Sequence, residues 1–340
     1  MKFSCGGFEG SAKLRSVPAE LERAGFDTIS VIETRHDPFV QAAVVMEHSS
    51  SIEIMTTVAI AFARTPMVLA AAAHDLNALS GGRFILGLGS QTKPHITRRF
   101  SMPWSHPAER MKETISAIHA IWDSWYDGKP LAFEGQFYSH TLMTPMFTPG
   151  DTEFGRPKIH LAAVGPHMTQ VAAEVADGLI CHSFTTERYI RDVTLPAVEE
   201  SLFRRGRKRS DLEISVMPLI ACGSTDEALE NACAETRKQI AFYGSTPAYR
   251  AILDLHGWGA LHDDLHAMSK QGRWDDMGQI INDEVLATFA LVGSPAEIAG
   301  EIRRRFAGIC ERVSLGLGND PSVAKELLGV LDSARAKGPC

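Results

Sequence analysis

The stretch that decides the fold is residues 74–90, HDLNALSGGRFILGLGS, in which a helix, a tight turn and a strand follow one another. Residues 67–79 are apolar or alanine-rich without a helix breaker, and the Ser-Gly-Gly of residues 80–82 supplies the left-handed conformations that end a helix. Residues 84–89 form a continuous apolar run, which is typical of a strand buried on both faces. Such strands occur in parallel sheets flanked by helices, so the stretch predicts an α/β protein.

The same alternation of strand and helix extends over the whole chain. Eight strand-like segments are separated by helix-like segments, which is the pattern of parallel βαβ units. Eight such units predict a (β/α)8 TIM barrel that forms a single domain over residues 1–340. The predicted strands 1 to 8 are residues 2–5, 28–32, 52–61, 84–87, 159–163, 178–181, 213–220 and 313–317.

Two long segments interrupt the alternation. Residues 126–156, rich in Gly, Pro and Thr, are predicted to be an insertion after strand 4, with a small hairpin at residues 133–138. Residues 244–290, between strands 7 and 8, are predicted to be a helical insertion. Long ordered insertions on a barrel usually form lids or subunit contacts, so we expect a homo-oligomer, in particular a homodimer.

Composition and charge restrict the class of partner and the compartment. A net charge of −7 and an isoelectric point near 6.0 argue against a nucleic-acid or membrane partner. The six cysteines have no paired spacing, which predicts reduced thiols. No apolar signal segment follows Lys2, and Arg64 and Pro66 interrupt the most apolar region. We therefore expect a soluble cytoplasmic protein.

Gly87 and Gly89 fall where strand 4 should end. A dinucleotide fingerprint requires G-x-G-x-x-G that opens directly into a helix, but Thr92 stands where the third glycine belongs and Pro94 delays the next helix. This context excludes a Rossmann site. The two glycines indicate either close packing of strand against helix or a flat ligand that lies against the backbone.

Several motifs, taken in their order and spacing, resemble those of the luciferase-like family of flavin- and deazaflavin-dependent oxidoreductases. The motifs are RTP at residues 64–66, LSGGRF at 79–84, GLG at 87–89, RxxE at 110–113, AAVGP at 162–166, ADG at 176–178 and VGSP at 292–295. The segment GSQTKPH at residues 89–95 further resembles an actinobacterial-type subgroup assigned to coenzyme F420.

This resemblance implies an oxidoreductase that transfers hydride between coenzyme F420 and a small organic substrate. An FMN-dependent monooxygenase is one alternative, and a non-catalytic flavin- or deazaflavin-binding protein is another. Family members carry a non-proline cis peptide beneath the flavin-like ring, and alignment places it between Thr57 and Val58. Glucose-6-phosphate-oxidising relatives have a glutamate where this chain has Thr92, which argues against sugar-phosphate oxidation.

In a TIM barrel the active site lies at the C-terminal ends of the strands. Glu33 and His36 follow strand 2 and His95 follows strand 4, so these three are the predicted proton-transfer groups. Free amides at the start of the helix after strand 5 are predicted to bind the phosphate of the coenzyme. The predicted coenzyme-binding residues are Thr57, Val58, Gly89, Ser90, Gln91, Thr92, Val164, Gly165, Pro166 and His167.

Two further groups of residues have a less specific pattern. Lys93, Arg98 and Arg99 form a basic loop with His95, which offers another position for a phosphate or an acidic tail. His262 and His266 stand four residues apart on a predicted helix, a spacing that puts two metal ligands on one face. No third ligand or H-E-x-x-H motif accompanies them, so we predict an exposed polar face and no metal.

Overall fold

The computed structural model describes residues 1–7, 10–317 and 322–335, and it contains a closed barrel of eight parallel strands. Each strand pairs with the next, and the eighth pairs with the first, so the barrel sheet has no free edge. The predicted TIM barrel is therefore confirmed. Barrel strands 1 to 8 are Lys2–Gly6, Thr28–Val31, Glu53–Thr56, Phe84–Gly89, Lys158–Ala163, Gly178–Cys181, Glu213–Val216 and Arg312–Leu317.

Helices lie between the strands on the outside of the barrel. Several begin with a proline, whose missing N–H costs nothing because the first amides of a helix have no partner within it. No helix in the described parts of the chain is both long enough and apolar enough to cross a membrane. The longer helices are Ser11–Ala24, Pro38–Glu47, Pro66–Leu79, Pro107–Asp127, Pro166–Val175, Leu195–Arg204, Asp226–Gly244, Pro295–Phe306 and Ser322–Arg335.

Two barrel strands are shorter than the sequence predicts. Strand 3 ends at Thr56, directly before the Thr57–Val58 peptide bond, which is cis as the family resemblance implies, and Ala59–Ile60 forms a short separate strand. Strand 7 ends at Val216 because Pro218 has no N–H to donate to a ladder. The predicted remainder of strand 7 leaves the barrel instead. Leu219–Cys222 pairs in parallel with Ala290–Gly293, a strand that the sequence analysis missed.

The predicted insertion after strand 4 contains a hairpin in which Phe133–Glu134 pairs with Ser139–His140. The Glu113 carboxylate accepts hydrogen bonds from the N–H groups of Gln136, Phe137 and Tyr138 at 2.9, 2.6 and 2.6 Å. Arg110 donates to the Tyr138 hydroxyl at 3.0 Å. The RxxE motif of the helix after strand 4 therefore fastens this hairpin to the barrel.

The insertion between strands 7 and 8 is helical, as predicted. Its apolar side chains form a hydrophobic cluster with Phe184 and Leu219, which follow barrel strands 6 and 7. The insertion therefore packs over the C-terminal end of the barrel on that side. Its helices are Arg250–Leu255, Gly259–Lys270, Trp274–Met277 and Asp283–Phe289.

The lower end of the barrel, where the strands begin, is closed by ion pairs. The buried Arg312 guanidinium donates to Glu213 at 2.7 Å and to Glu53 at 2.8 Å, and Lys2 lies 2.6 Å from the second oxygen of Glu53. Each of these four residues is the first residue of its strand. The charged base leaves the opposite end of the barrel as the place for a ligand.

The cysteines agree with the prediction of reduced thiols as far as they are described. Cys5, Cys181, Cys222, Cys233 and Cys310 are free thiols, and Cys340 lies outside the described residues. Burial raises the pKa of the Cys5, Cys181 and Cys310 thiols to about 12. These three thiols therefore stay protonated and act as small apolar side chains of the core.

Candidate active site

One arginine joins the segments that follow barrel strands 2 and 3. Arg64 donates to the Glu33 carboxylate at 2.7 Å and to Asp37 at 2.7 Å, and the same Glu33 oxygen accepts the N–H of Ile60 at 2.7 Å. The side chains of Glu33 and Arg64 are only 5% and 14% exposed. Asp37 in turn caps the helix Pro38–Glu47 by accepting from Phe39 and Val40. This network fixes the rim of the barrel mouth, which is the opening at the C-terminal ends of the strands.

The predicted proton-transfer residues therefore have different surroundings. The Glu33 carboxylate is held by Arg64 and Ile60, and no hydrogen bond joins it to His36 within the described chain. Among the described residues, Glu33 therefore has no hydrogen bond through which it could orient His36 directly. His36 lies in the loop after strand 2 with an exposed side chain, and His95 begins a short helical turn, His95–Arg99, and is also exposed. Both imidazoles are accessible to a ligand.

The floor of the mouth is formed by the cis peptide segment and the upper end of the barrel interior. Val58 packs with Ala162 and Met217 over an apolar cluster of Met55, Ile85 and Ile180 inside the barrel. The hydroxyl oxygen of Thr57 is buried and has no hydrogen-bond partner among the described residues. A buried polar atom of this kind needs a partner, and at this position a ligand can supply one.

The glycines of strand 4 are required by close packing inside the protein. A Cβ at Gly87 would lie 1.7 Å from the Thr56 carbonyl oxygen, and one at Gly89 would lie 2.6 Å from Cγ2 of Val58. The Thr56 hydroxyl also bonds the Gly87 carbonyl and N–H at 2.7 and 2.8 Å. Gly89 therefore acts on the mouth through Val58, because it allows the cis segment to lie directly against strand 4.

The loop after strand 4 turns sharply at its first residues. Gln91 has a φ of +59°, a left-handed conformation that is uncommon for a residue with a side chain and that recurs at functional sites. Its side-chain oxygen accepts the N–H of Thr92 at 2.9 Å, and the Ser90 hydroxyl donates to the Gln91 carbonyl at 3.2 Å. Lys93 and Arg98 are exposed, whereas Arg99 donates to the Thr34 carbonyl of the neighbouring loop.

The segment after strand 5 forms an open helix start. Gly165 caps the helix Pro166–Val175 without a side-chain hydrogen bond, and a Cβ at Gly165 would meet no atom within 4 Å. Pro166 takes the first helical position and His167 is exposed, while the Val164 carbonyl accepts from the Tyr189 hydroxyl at 3.4 Å. The helix therefore presents amides and open space beside the mouth, which suits an anionic group.

A histidine and a tyrosine that the sequence analysis did not assign to the site lie at the edge of the mouth. His182, directly after strand 6, lies 3.2 Å from the hydroxyl of Tyr249 in the helical insertion, and its ring contacts those of Tyr249 and Tyr243. Burial lowers the pKa of His182 to about 4 and raises that of Tyr249 to about 12. His182 could be suspected from its position after a strand, but the partner 67 residues away gives no local signal.

The predicted exposed polar face is wrong for His262, which is buried, and both His262 and His266 contact the end of a helix. Their Nδ1 atoms lie 2.7 Å and 2.9 Å from the carbonyl oxygens of Gly244 and Ser245, where the helix Asp226–Gly244 ends. Both therefore donate to carbonyls that have no partner within the helix. In residues 1–7, 10–317 and 322–335, no group of three or more His, Cys, Asp or Glu side chains is placed to hold a metal.

These features define a TIM-barrel protein with a candidate ligand site at the C-terminal mouth of the barrel. Residues 10–310 match the luciferase-like monooxygenase family, and the chain belongs to that family. It is 50% identical over 302 residues to the uncharacterized protein Rv1360 of Mycobacterium tuberculosis, covering 89% of each chain. It is 26% identical over 281 residues to the F420-dependent glucose-6-phosphate dehydrogenase of Nakamurella multipartita, covering 78% of this chain and 79% of that protein.

Solved structures of the same fold include proteins that use different coenzymes. The coenzyme F420-dependent tetrahydromethanopterin reductase of Methanopyrus kandleri superposes with a TM-score of 0.79 at 17% identity, covering 96% of each chain. The oxygenating constituent of 3,6-diketocamphane monooxygenase from Pseudomonas putida, in complex with FMN, gives a TM-score of 0.68 at 15% identity over 97% and 96% of the two chains. At these identities the likeness establishes the fold alone.

Proposed function

We propose that the protein is an F420-dependent oxidoreductase that transfers hydride between the deazaflavin coenzyme and a small organic substrate. The observation that carries the proposal is the similarity, over more than three quarters of the chain, to a relative that is F420-dependent. The mouth of the barrel supports it, since a buried hydroxyl at Thr57 lacks a partner and an open helix start at Gly165 faces solvent.

Different residues of the chain would hold different parts of the coenzyme. Thr57 and Val58, joined by the cis peptide, would lie under the ring, and Gly89, Ser90, Gln91 and Thr92, at the turn after strand 4, would lie beside it. The helix start formed by Val164, Gly165, Pro166 and His167 would receive the phosphate, with the N–H groups of Gly165 and His167 as donors, since Pro166 has no N–H. When bound, the deazaflavin supplies and accepts the hydride. Lys93 and Arg98 are free of ion pairs within the described chain and suit an acidic tail.

We assign the proton-transfer role to His36, with His95 as the second candidate. Both imidazoles are exposed at the mouth, and histidine is the side chain that most often serves as a general acid or base. Glu33 contributes indirectly, because it holds two segments in place. Its ion pair with Arg64 and its hydrogen bond from the Ile60 N–H join the loop that carries His36 to the residues that follow the cis peptide. Glu33 is thus a positioning residue in this proposal.

The substrate is unidentified, but one class is disfavoured. Sugar-phosphate-oxidising relatives carry a glutamate at the position of Thr92, and Thr92 is exposed with no ionisable group. An FMN-dependent monooxygenase is the second candidate function, since the FMN complex of the camphane monooxygenase constituent has the same fold. A protein that binds flavin or deazaflavin without turnover is the third.

Parallel titration of the purified protein with F420 and FMN, followed by absorbance or fluorescence, separates these functions. We expect micromolar or tighter binding of F420 and markedly weaker binding of FMN. Preferential FMN binding, with oxygen consumed when reduced FMN is supplied, would instead assign the protein to the monooxygenases. F420 binding without turnover across a broad panel of carbonyl and alcohol substrates would favour the non-catalytic reading.

We also propose that two copies of the chain associate through the outer faces of the helices Pro38–Glu47 and Pro66–Leu79, which lie side by side. Val40, Val68 and Leu79 on these helices are 65%, 53% and 76% exposed, and exposed apolar side chains on adjacent helices suit a protein–protein contact. Light scattering after gel filtration should give a dimer for the parent and a monomer for Val68→Asp. Phe203→Asp, on an exposed apolar residue of another helix, is the control.

A further inference from the structure

The interior of the barrel is unusually polar on one side. Residues that pair on neighbouring parallel strands point their side chains to the same face of the sheet. Because Ile180 points into the barrel, its partner Ser215 also points inward. The same holds for Arg312, which is the partner of Ser215 on the next strand. The remaining registers place His160 opposite Gly178 and Ser314 opposite Ser4. TIM-barrel interiors are usually filled by bulky branched residues, which these positions lack.

The polar atoms inside the barrel have no protein partners. Seven buried side-chain nitrogen or oxygen atoms of the described residues lack a hydrogen bond, and six of them belong to residues that point into the barrel or stand at its mouth. They are the Thr57 hydroxyl, both ring nitrogens of His160, the Ser215 hydroxyl, Nη1 of Arg312 and the Ser314 hydroxyl.

These atoms lie in successive layers along the barrel axis. The strand stagger puts Arg312 nearest the charged base, His160 and Ser215 in the next layer, and Ser314 above them. Thr57 follows strand 3 at the mouth. His160 pairs with Gly87 and Gly178, and its ring occupies the space beside Gly178, where a Cβ would lie 2.5 Å from the ring. We call this series of polar atoms the polar column; it rises from the base of the barrel to its mouth beside the apolar side chains of Met55, Ile85 and Ile180.

The chemistry of this column identifies its occupant. Leaving a buried donor or acceptor unsatisfied is costly, so six such atoms along one axis require a polar partner. Lys2 and Arg312 balance Glu53 and Glu213 at the base, and burial lowers the pKa of His160 to about 4, so the column has no net charge that calls for an ion. A neutral imidazole needs both a donor and an acceptor, which water provides and a simple anion does not.

We propose that a file of ordered water molecules fills the barrel interior from Arg312 at the base, past His160, Ser215 and Ser314, to Thr57 under the mouth. The lower waters are enclosed by the barrel and its ion pairs. The uppermost one, at the Thr57 hydroxyl, is the water that a ligand at the mouth replaces. The proposal holds whichever coenzyme the protein binds.

A crystal structure at a resolution that defines ordered solvent tests the proposal. We expect water density about 2.7–3.2 Å from the unpartnered atoms of His160, Ser215, Arg312 and Ser314. In Ser314→Ala the water at that position should be lost or displaced, and the midpoint of thermal unfolding should fall by a few degrees. Ser215→Ala serves as a second variant if Ser314→Ala does not fold.

Ser201→Ala is the matched control, because Ser201 is fully buried but donates to the Ala197 carbonyl at 2.8 Å and lies on a helix outside the barrel. Its removal should leave the solvent of the interior unchanged. A barrel interior without density in the parent crystal would overturn the proposal, as would an ion in place of water. A dry interior is also indicated if Ser314→Ala raises the unfolding midpoint, because the substitution would then only remove an unsatisfied hydroxyl.

Discussion

His182 and Tyr249 are joined by a hydrogen bond of 3.2 Å that connects the end of barrel strand 6 to the helical insertion. Nδ1 of His182 accepts the N–H of Phe184 at 3.0 Å, so the single proton of the neutral ring is on Nε2 and is donated to the Tyr249 oxygen. The hydroxyl hydrogen of Tyr249 is left for another acceptor. Since burial keeps this phenol protonated, Tyr249 is a neutral donor at the edge of the mouth.

The buried histidines predict how stability depends on pH. Burial lowers the pKa of His182 and of His160 from 6.5 to about 4, so the unfolded chain binds protons that the folded chain excludes. Their stabilisation is complete above pH 6.5 and is lost as the pH falls toward 4. The free energy of unfolding should decrease in this window by up to about 1.4 kcal/mol per pH unit for each histidine.

Urea unfolding at intervals between pH 7 and pH 5 measures this dependence. His182→Gln keeps an amide that can donate to Tyr249 but cannot be protonated, so its free energy of unfolding should fall less steeply than that of the parent as the pH is lowered. His36→Gln, at an exposed imidazole, should leave the slope unchanged. If the free energy of unfolding falls equally steeply with decreasing pH in the parent and in His182→Gln, His182 protonates in the folded protein as easily as in the unfolded one.

A second prediction concerns the pair of Glu33 and Arg64. Arg64→Met leaves the nearly buried Glu33 carboxylate without its cation, and we expect a loss of about 3 kcal/mol in the free energy of unfolding. Adding Glu33→Gln to Arg64→Met should recover part of this loss, because the isolated charge is then removed. Denaturant unfolding of the single and double variants gives the coupling free energy between Glu33 and Arg64. Arg98→Met, at an exposed arginine, is the control. Strictly additive losses would mean that the two charges do not interact.

The two glycines of the mouth should respond differently to substitution. Gly89→Ala places a Cβ 2.6 Å from Val58, so we expect lower thermal stability as well as weaker coenzyme binding. In Gly165→Ala the added Cβ would meet no atom within 4 Å, and the backbone φ of −92° is ordinary for alanine. The midpoint of thermal unfolding should therefore not change. If the amides beside Gly165 receive a phosphate, its F420 affinity should nevertheless fall.

Gly150→Ala, which also meets no atom within 4 Å, is the matched control for Gly165→Ala. Calorimetry and F420 titration on the three variants separate packing from binding. The packing account of Gly89 fails if Gly89→Ala unfolds at the same temperature as the parent. The phosphate account of Gly165 fails if Gly165→Ala binds F420 as tightly as Gly150→Ala.

The last prediction tests the proposed role of His36. Because the His36 imidazole is exposed and has no hydrogen-bond partner in the described chain, His36→Ala should keep the fold and bind F420 within a few-fold of the parent. Loss of a positioned acid or base typically lowers turnover on the order of 10² to 10⁴-fold. Coenzyme absorbance reports turnover once a substrate is found by screening. Equal turnover of parent and variant at saturating coenzyme would move the role to His95.

The amino-acid sequence by itself determined the barrel and the position of its mouth. Alternating apolar runs and helical segments are local patterns, and a closed parallel sheet is the architecture that buries all eight strands. The segment after strand 4 and the helix start at Gly165 could likewise be predicted, because turn residues and helix starts depend on neighbours in the chain. The insertions followed from breaks in the same pattern.

Only the tertiary structure decided what the individual side chains do. Glu33 is occupied by Arg64, 31 residues away, and His182 is paired with Tyr249, 67 residues away. Beyond Pro218, where strand 7 has ended, Leu219–Cys222 pairs with Ala290–Gly293 from the far side of the insertion. The polar column needs residues from strands 3, 5, 7 and 8 together. Such contacts depend on which distant residues the folded barrel brings together, and no local pattern in the sequence records them.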